Sequence, residues 1–362
     1  MRRYFLTGTY SEPILFGTGE VFTGKGKGIY LCALEEDGRV TILDCLPLGN
    51  PSFLAVDEKR GHIYAVNEMK EFHGAYGGGL TDILFDEKGR MSVLSSYGTG
   101  GTDPCHVAVS PDGTFLAVAN YADGTISAFA LDETGAVTGE RMLFTHQGSG
   151  LDSARQAGPH AHCILFDHDG GLWVNDLGID RIKAYGLKDH QLSALEELDV
   201  CLRPGSGPRS GELSADGAHM YVTNELASAV THLRKEKDTW KVMETVSSLP
   251  GDFSGDNICA DLHLSPDGRY LYASNRGHDS IAVFRLLEDH SLSISEWVPC
   301  GGKTPRNFAI DPDGCRLLVG NQDSDCIAVY DLKDNGHPQM ISTSEFPTPV
   351  CIRFLKEKPV IR

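Results

Sequence analysis

Arginine, histidine and glutamate side chains occur at matched places in the sequence, and these side chains can bind anions and move protons. His162, Arg209 and Arg306 each follow a proline or an alanine that opens a strand-like segment. Glu225 ends the segment that follows the one containing Arg209. A guanidinium can hold a phosphate, a carboxylate or a developing oxyanion, whereas an imidazole or a carboxylate can transfer a proton. The pattern favours a site where cationic side chains from separate segments converge on an anionic ligand.

Further polar residues occupy the same two kinds of position, the start of one strand and the end of the next. The residues at strand starts are His106, His160, His162, Arg209, Asp261, Arg306 and Asn307. Those at strand ends are Glu68, Asp176, Glu225, Arg276 and Gln322. Because buried unpaired charge is costly, these residues either pair with one another as a structural ion network or bind a ligand. The number of Arg and His residues favours ligand binding.

The elements that must position these residues come from a repeated unit, of which residues 265–276 are the clearest copy. Its Ser-Pro-Asp-Gly start is typical of a tight turn, and the residues that follow alternate as in a half-buried strand. The closing asparagines of the copies recur about every 50 residues, at Asn67, Asn120, Asn175, Asn224, Asn275 and Asn321. Such a period of short strands predicts a β-propeller, in which each repeat is one blade.

Seven segments can serve as innermost strands, and the last of them lies at residues 349–355. Seven second strands are found only if Arg3–Thr9, at the opposite end of the chain, is included. The C-terminal strand is therefore expected to complete the blade whose other strands are N-terminal, which leaves the ring without free edges. The prediction for residues 1–362 is a single all-β domain: a seven-bladed β-propeller with four antiparallel strands per blade and with N- and C-terminal strands sharing one blade.

The long connections of this predicted propeller all fall on one rim. They lie at residues 11–27, 69–78, 147–159, 201–207 and 249–258, and each joins a second to a third strand or one blade to the next. Alternating strand direction places all such connections on the same rim. Because binding sites form preferentially on loops held by a rigid scaffold, the site is expected on that rim.

Composition narrows the partners and the compartment. The chain has 50 acidic residues against 32 lysines and arginines, a net charge of −18, which disfavours nucleic acid and anionic membranes as partners. No apolar run is long enough to cross a bilayer, and the N-terminus lacks the apolar region of a signal peptide. The ten cysteines form no CxxC pair, so they are expected to be buried and reduced, which indicates a cytoplasmic protein.

Several motifs resemble the lactonase family of seven-bladed propellers, across essentially the whole chain. They are Thr-Gly-Thr-Tyr at 7–10, Gly-Pro-His-Ala-His at 158–162, Gly-Pro-Arg at 207–209, Ser-Asn-Arg-Gly-His-Asp-Ser-Ile-Ala-Val-Phe at 274–284 and Thr-Pro-Arg-Asn-Phe at 304–308. That family includes bacterial propeller-type 6-phosphogluconolactonases and, more distantly, fungal carboxymuconate-lactonising enzymes. The chain departs from the family pattern at Ser210, where a histidine is usual, and at Ala161, where a proline is usual.

The resemblance implies an enzyme that hydrolyses a sugar lactone, with 6-phospho-D-glucono-1,5-lactone as the leading substrate. It implies that the catalytic residues are His160, His162, Arg209, Glu225 and Arg276. Arg276 and Arg209 are expected to stabilise the oxyanion, and His160, His162 and Glu225 remain alternatives for the general base. The other residues expected to bind the anionic lactone are His106, Asp261, Arg306, Asn307, Gln322 and Glu68.

Two other functions remain open at the level of sequence. A cycloisomerase that closes a muconate to a lactone would need the same arginines and proton carrier. A non-catalytic propeller that binds proteins would not need them, and the Trp-Asp signature common in such scaffolds is absent. Calcium needs six to eight oxygen ligands, whereas this rim is rich in arginine, so neither a metal nor another cofactor is expected. The sequence does not indicate the oligomeric state.

Overall fold

The computed structural model describes residues 2–188 and 191–356, and it forms the predicted ring of seven four-stranded antiparallel sheets. From the innermost to the outermost strand, the sheets are blade 1, Pro349–Phe354, Arg3–Thr9, Gly28–Leu34 and Val40–Pro47; blade 2, Leu54–Asp57, His62–Asn67, Gly79–Phe85 and Met91–Gly98; blade 3, Pro104–Val109, Phe115–Asn120, Thr125–Leu131 and Val137–Thr145; blade 4, Ala161–Phe166, Leu172–Asp176, Arg181–Lys188 and Gln191–Ala194; blade 5, Pro208–Leu213, His219–Asn224, Ala229–Glu236 and Thr239–Ser247; blade 6, Ile258–Leu264, Tyr270–Arg276, Ser280–Leu286 and Leu292–Pro299; and blade 7, Pro305–Ile310, Arg316–Asn321, Cys326–Leu332 and Pro338–Glu345.

Small additional elements complete the fold. Val200–Cys201 adds a short strand to blade 4, and a single 3₁₀ turn at Glu196–Leu198 is the only helical element within residues 2–188 and 191–356. No helix in this part of the chain has the length and apolarity needed to span a bilayer.

Blade 1 confirms the predicted closure of the ring. Arg3–Thr9 pairs antiparallel with Pro349–Phe354 on one side and with Gly28–Leu34 on the other. In this register Leu6 lies opposite Arg353 and Thr7 lies opposite Ile352. The two ends of the chain therefore complete one sheet.

The hydrophobic core is divided among the seven interfaces between adjacent blades, since every blade presents an apolar face to each neighbour. The interface that joins blade 7 to blade 1 contains Phe5, Leu318, Ile327 and Ile352, each fully buried. The ring is thus closed by apolar packing as well as by strand pairing, and its central channel is left to polar side chains.

The closing asparagine of each repeat fixes the end of a second strand. All six asparagines are fully buried, and their side-chain amides donate hydrogen bonds to neighbouring connections or strands. Asn275 Nδ2, for example, donates to Ser248 O at 2.9 Å. This anchoring leaves the next residue at the mouth of the channel, where Glu68, Tyr121, Glu225, Arg276 and Gln322 line a cavity.

Long connections cover the same rim, as predicted. The connection at 11–27 contains a hairpin of Pro13–Leu15 and Val21–Thr23, and the one at 69–78 contains a smaller hairpin of Glu71–Phe72 and Ala75–Tyr76. The first hairpin extends over the channel mouth, where Phe16 and Phe22 pack on Tyr10.

Candidate active site

The channel mouth opens into a cavity of about 650 Å³, a size usual for small-molecule sites. Two structural positions supply its base. One is the residue after each buried asparagine, and the other is a β-bulge at the start of the innermost strand. In blades 3, 4, 5 and 7 the bulge leaves Cys105, His162, Arg209 and Arg306 outside regular strand pairing, and all four line the cavity. Bulges re-aim side chains in this way next to active sites.

A buried carboxylate, Glu225, organises three arginines on one side of the cavity. Arg155 Nη2 donates to Glu225 Oε1 at 2.5 Å, Arg276 Nη2 donates to Oε2 at 2.7 Å, and Arg209 Nε lies 2.9 Å from Oε2. Burial alone would raise the pKa of Glu225, but the guanidiniums of Arg276, Arg155 and Arg209 hold it well below the ordinary value. Three cations and one anion leave this wall, which we call the arginine wall, positively charged.

Each guanidinium of the arginine wall has a second anchor. Arg209 Nη1 donates to Ala260 O at 2.7 Å and to Ser210 Oγ at 3.1 Å, so the residue that departs from the family pattern supports an arginine. Arg276 Nη2 donates to Cys259 O at 2.8 Å. Arg155 Nη2 lies 3.3 Å from Tyr121 Oη. These contacts preorganise the positive charge, so little reorganisation is needed when an anion forms there.

Blades 7, 1, 2 and 3 build the other side of the cavity, which we call the acidic wall. Tyr10 Oη donates to Glu68 Oε2 at 2.8 Å and accepts from Arg306 Nη2 at 2.8 Å. Arg306 lies against the rings of Tyr10 and Phe16, 5.3 Å from each centroid. Burial raises the pKa of Glu68, although the Arg306 guanidinium opposes this shift. Asp103 completes the wall beside Glu68.

His162 stands between the two walls as a neutral imidazole. It is buried, and its ring meets the edge of Tyr121 with centroids 5.6 Å apart. Burial, together with the guanidiniums of Arg209 and Arg306, holds the pKa of His162 well below the ordinary value. An imidazole in this state can accept or donate a hydrogen bond to a ligand without adding charge.

The structure brings seven of the eleven predicted site residues to the cavity. These are Glu68, His162, Arg209, Glu225, Arg276, Arg306 and Gln322. The other four are not part of the cavity lining: His106, His160, Asp261 and Asn307.

His160 lies behind the cavity surface. Its Nδ1 donates to Tyr121 O at 2.8 Å, and its ring stacks on Tyr121 at 4.6 Å. Its backbone N–H donates to Asp176 Oδ1 at 2.7 Å. These contacts give His160 a supporting position under Tyr121.

His106, Asp261 and Asn307 lie deeper in the channel. His106 packs on Phe53 with ring centroids 4.0 Å apart, and burial lowers its pKa to about 3. Asn307 Nδ2 donates to Asp261 Oδ2 at 2.5 Å, and His263 Nε2 lies 3.2 Å from the same oxygen. The bulges account for the placement of His106 and Asn307, because each is the first residue that returns to regular pairing.

Four cavity residues were missed by sequence reasoning. Tyr121 follows Asn120 in the same register that gave Glu68 and Arg276, so the repeat itself contained the signal. Asp103, immediately before Pro104, was one position outside the range considered. Arg155 and Tyr10 lie on irregular connections, and no period in the sequence relates them to the blades.

Potential metal ligands occur elsewhere. Within the described residues, Asp216, His219 and His290 have ligand atoms within 4.8 Å of one another, and alternation of the strands places them on the rim opposite the cavity. The rings of His219 and His290 are stacked, 3.9 Å apart and 15° from parallel. Two parallel rings do not direct their lone pairs at one point, so this group is not arranged around an ion.

The lactonase family model, described as a seven-bladed β-propeller, matches residues 5–354. This chain belongs to the lactonase family. The 6-phosphogluconolactonase of Bacillus subtilis is 30% identical over 347 residues, which cover 94% of this chain and 97% of that enzyme. The 6-phosphogluconolactonase of Formosa agariphila is 34% identical over 321 residues, covering 85% and 90%. The periplasmic gluconolactonase of Pseudomonas aeruginosa superposes with a TM-score of 0.90, at 30% identity, covering 98% and 99% of the two chains.

These comparisons confirm the family resemblance, the fold and the enzyme class predicted from the sequence, a carboxylic ester hydrolase that opens lactones. The compartment stays a prediction, because one structural relative is periplasmic. All ten cysteines of this lactonase-family chain are unpaired, and seven of them are buried.

Proposed function

We propose that this lactonase-family protein hydrolyses 6-phospho-D-glucono-1,5-lactone to 6-phosphogluconate. The observation that carries the proposal is the arginine wall, where three guanidiniums share one carboxylate inside an otherwise acidic protein. An excess of fixed cations on a chain of net charge −18 selects an anionic ligand locally. Two relatives that match most of the chain carry the name of this activity.

In the proposed reaction, water attacks the lactone carbonyl and negative charge develops on its oxygen. Arg209 and Arg276 lie at the base of the cavity, held by Glu225 and by backbone carbonyls, and they stabilise that oxyanion. Glu225 serves here as the group that fixes the guanidiniums. Because its pKa lies well below the ordinary value, it is a poor acceptor for the proton of water.

The remaining cavity residues contact the sugar and its phosphate. Arg306, Gln322 and Glu68 line the side away from the arginine wall, and neutral His162 offers a hydrogen bond between the two walls. His160 supports Tyr121 from behind. His106, Asp261 and Asn307 form the polar floor that keeps the innermost strands in place.

The proposed chemistry needs neither a metal nor another cofactor. The arginines provide the positive charge that a metal provides in other hydrolases. We further propose that the protein works in a reducing compartment, because its cysteines are dispersed over separate strands rather than arranged in bridges.

The test is a comparison of three substrates with purified protein, corrected for spontaneous lactone opening. We expect 6-phosphogluconolactone to be hydrolysed with a kcat/KM about tenfold to a hundredfold above that of unphosphorylated glucono-1,5-lactone, since the phosphate adds charge-assisted hydrogen bonds. No turnover of a muconate is expected. A preference for the unphosphorylated lactone would overturn the phosphate assignment. Turnover of the muconate alone would favour a cycloisomerase, and inactivity on all three, with a stable protein partner recovered, would favour a scaffold.

A further inference from the structure

The cavity holds a carboxylate that none of the roles above uses. Asp103 lies immediately before blade 3, it is 5% exposed, and it lines the cavity. Its backbone is fixed from both sides, because its N–H donates to Met69 O at 3.1 Å and its carbonyl accepts from Tyr121 N at 2.9 Å. Its nearest cation is Lys70, whose Nζ lies 3.7 Å from Oδ2. Asp103 therefore differs from Glu225, which three guanidiniums surround.

The electrostatic field of the cavity decides where a proton can be placed. Protonation of His162 would create a cation beside Arg209 and Arg306, and protonation of Glu225 would remove the anion that three arginines share. Protonation of a carboxylate on the acidic wall removes a negative charge from a region that already contains several. The acidic wall is thus the favourable acceptor for a proton released during the reaction.

The groups that face Asp103 come from three directions. Glu68 and Lys70 lie at the end of the second strand of blade 2, and Asp123 lies in the turn before the third strand of blade 3. Tyr10 and Arg306 reach Glu68 from blades 1 and 7. Burial and the charge of Glu68 raise the pKa of Asp103 to about 7, against the opposing effect of Lys70. A pKa near the working pH is the optimum for general acid–base catalysis.

We propose that Asp103 is the proton-transfer residue of the lactone hydrolysis, a role that rests on the function proposed above. The Asp103 carboxylate takes a proton from water as the water oxygen bonds to the lactone carbonyl carbon. The carbonyl electron pair moves to its oxygen, where Arg209 and Arg276 hold it. The oxyanion then collapses, the bond from the carbonyl carbon to the ring oxygen breaks, and Asp103 returns its proton to that oxygen. The new carboxylic acid releases its own proton to solvent, so Asp103 ends ionised as it began.

The main test is Asp103→Asn. The amide has the size of the carboxylate, and Asn tolerates the left-handed backbone that Asp103 adopts, with φ 51°. We expect kcat to fall by about 10²–10⁴-fold with KM changed by less than about threefold. The wild-type kcat/KM should rise with pH through about 7, since the base must be ionised, and this limb should be absent in Asp103→Asn.

A matched control is Asp325→Asn. Asp325 also has a left-handed backbone, with φ 48°, and also pairs with a lysine, Lys25, but it is not part of the cavity lining. This variant should keep the wild-type pH profile and a rate within about threefold of wild type.

Lys70→Gln provides a second test that does not disturb the cavity, since the Lys70 side chain is 48% exposed. Removal of this cation should raise the pKa of Asp103 and move the rising limb about 0.2–0.7 pH unit upward. A limb that stays in place would argue against Asp103 even if Asp103→Asn failed to fold.

The outcomes separate the two proposals. An inactive wild-type protein would remove the lactonase assignment and the role of Asp103 with it. An active wild type whose Asp103→Asn variant kept its rate and its pH limb would overturn the role of Asp103 alone, and loss of the limb in His162→Gln would then assign the base to His162.

Discussion

At the scale of single residues, the site depends on the arrangement of charge more than on any one side chain. A lone buried arginine would be unstable, whereas three guanidiniums around Glu225 neutralise part of their charge and keep their positions. The same contacts remove Glu225 from proton transfer, because they stabilise its ionised form. One carboxylate is therefore structural and another, Asp103, is left available for chemistry.

Arg276→Ala should lower kcat/KM by about 10²–10³-fold, the usual effect of losing one oxyanion donor. The melting midpoint should change little, since Glu225 keeps Arg155 and Arg209 as partners. Steady-state kinetics and a thermal melt on the same preparation provide the measurement. Arg269→Ala is the matched control, because Arg269 is an exposed arginine paired with Asp267 on the opposite rim. Wild-type activity in Arg276→Ala would remove this residue from the mechanism.

Chelation should leave the activity unchanged. The arginine wall repels a divalent cation, and the acidic wall offers few oxygens, since Tyr10 and Arg306 already occupy Glu68. The lactonase assay with and without EDTA measures this. Activity that disappears with EDTA and returns with Ca²⁺ would contradict a mechanism based on arginine. The histidine group at His219 and His290 is remote from the cavity, so an ion bound there would leave the rate unaffected.

At the scale of elements, the repeat predicted more of the site than its chemistry did. The position after each closing asparagine identified Glu68, Glu225, Arg276 and Gln322 from the sequence alone, because the buried amide fixes the strand end in every blade. The bulges at the start of the innermost strands were not visible in the sequence, since they add no distinctive residue type. A one-residue shift in pairing turns a side chain away from the cavity, which is why His106 and Asn307 lie deeper than expected.

The hairpin at residues 13–23 is an element whose role can be measured separately. Phe16 is half-buried, it packs on Phe22 and Tyr10, and it covers the Arg306 guanidinium. Phe16→Ala removes one of the two rings beside that cation, so substrate binding should weaken about twofold to thirtyfold. We expect the effect in KM with kcat nearly constant. Val21→Ala, at a hairpin residue that is 63% exposed, should leave both constants unchanged. A fall in kcat alone would assign the hairpin a different task.

At the scale of the whole molecule, counting strands predicted the closure of the ring. Six innermost strands follow one another along the chain, and only the pairing of Pro349–Phe354 with Arg3–Thr9 supplies the seventh sheet. The connections that cover the cavity were predicted to lie on one rim, but not what they contribute. Arg155 and Tyr10 reach the site through irregular backbone, whose path depends on tertiary contacts rather than on a local pattern.

The closing strand should be indispensable to folding. A chain that ends at Thr348 loses Val350, Cys351 and Ile352, which are at most 3% exposed and pack against blades 1, 2 and 7. The lost burial is on the order of 5 kcal/mol, comparable with the whole stability of a typical domain. Arg3–Thr9 would also become an unpaired edge at the centre of the ring. We therefore expect the truncated chain to aggregate or to melt far below the full-length protein, as followed by circular dichroism. A chain that ends at Lys356 keeps the strand and should melt like the full-length protein. Equal midpoints for all three chains would show that the ring does not depend on its last strand.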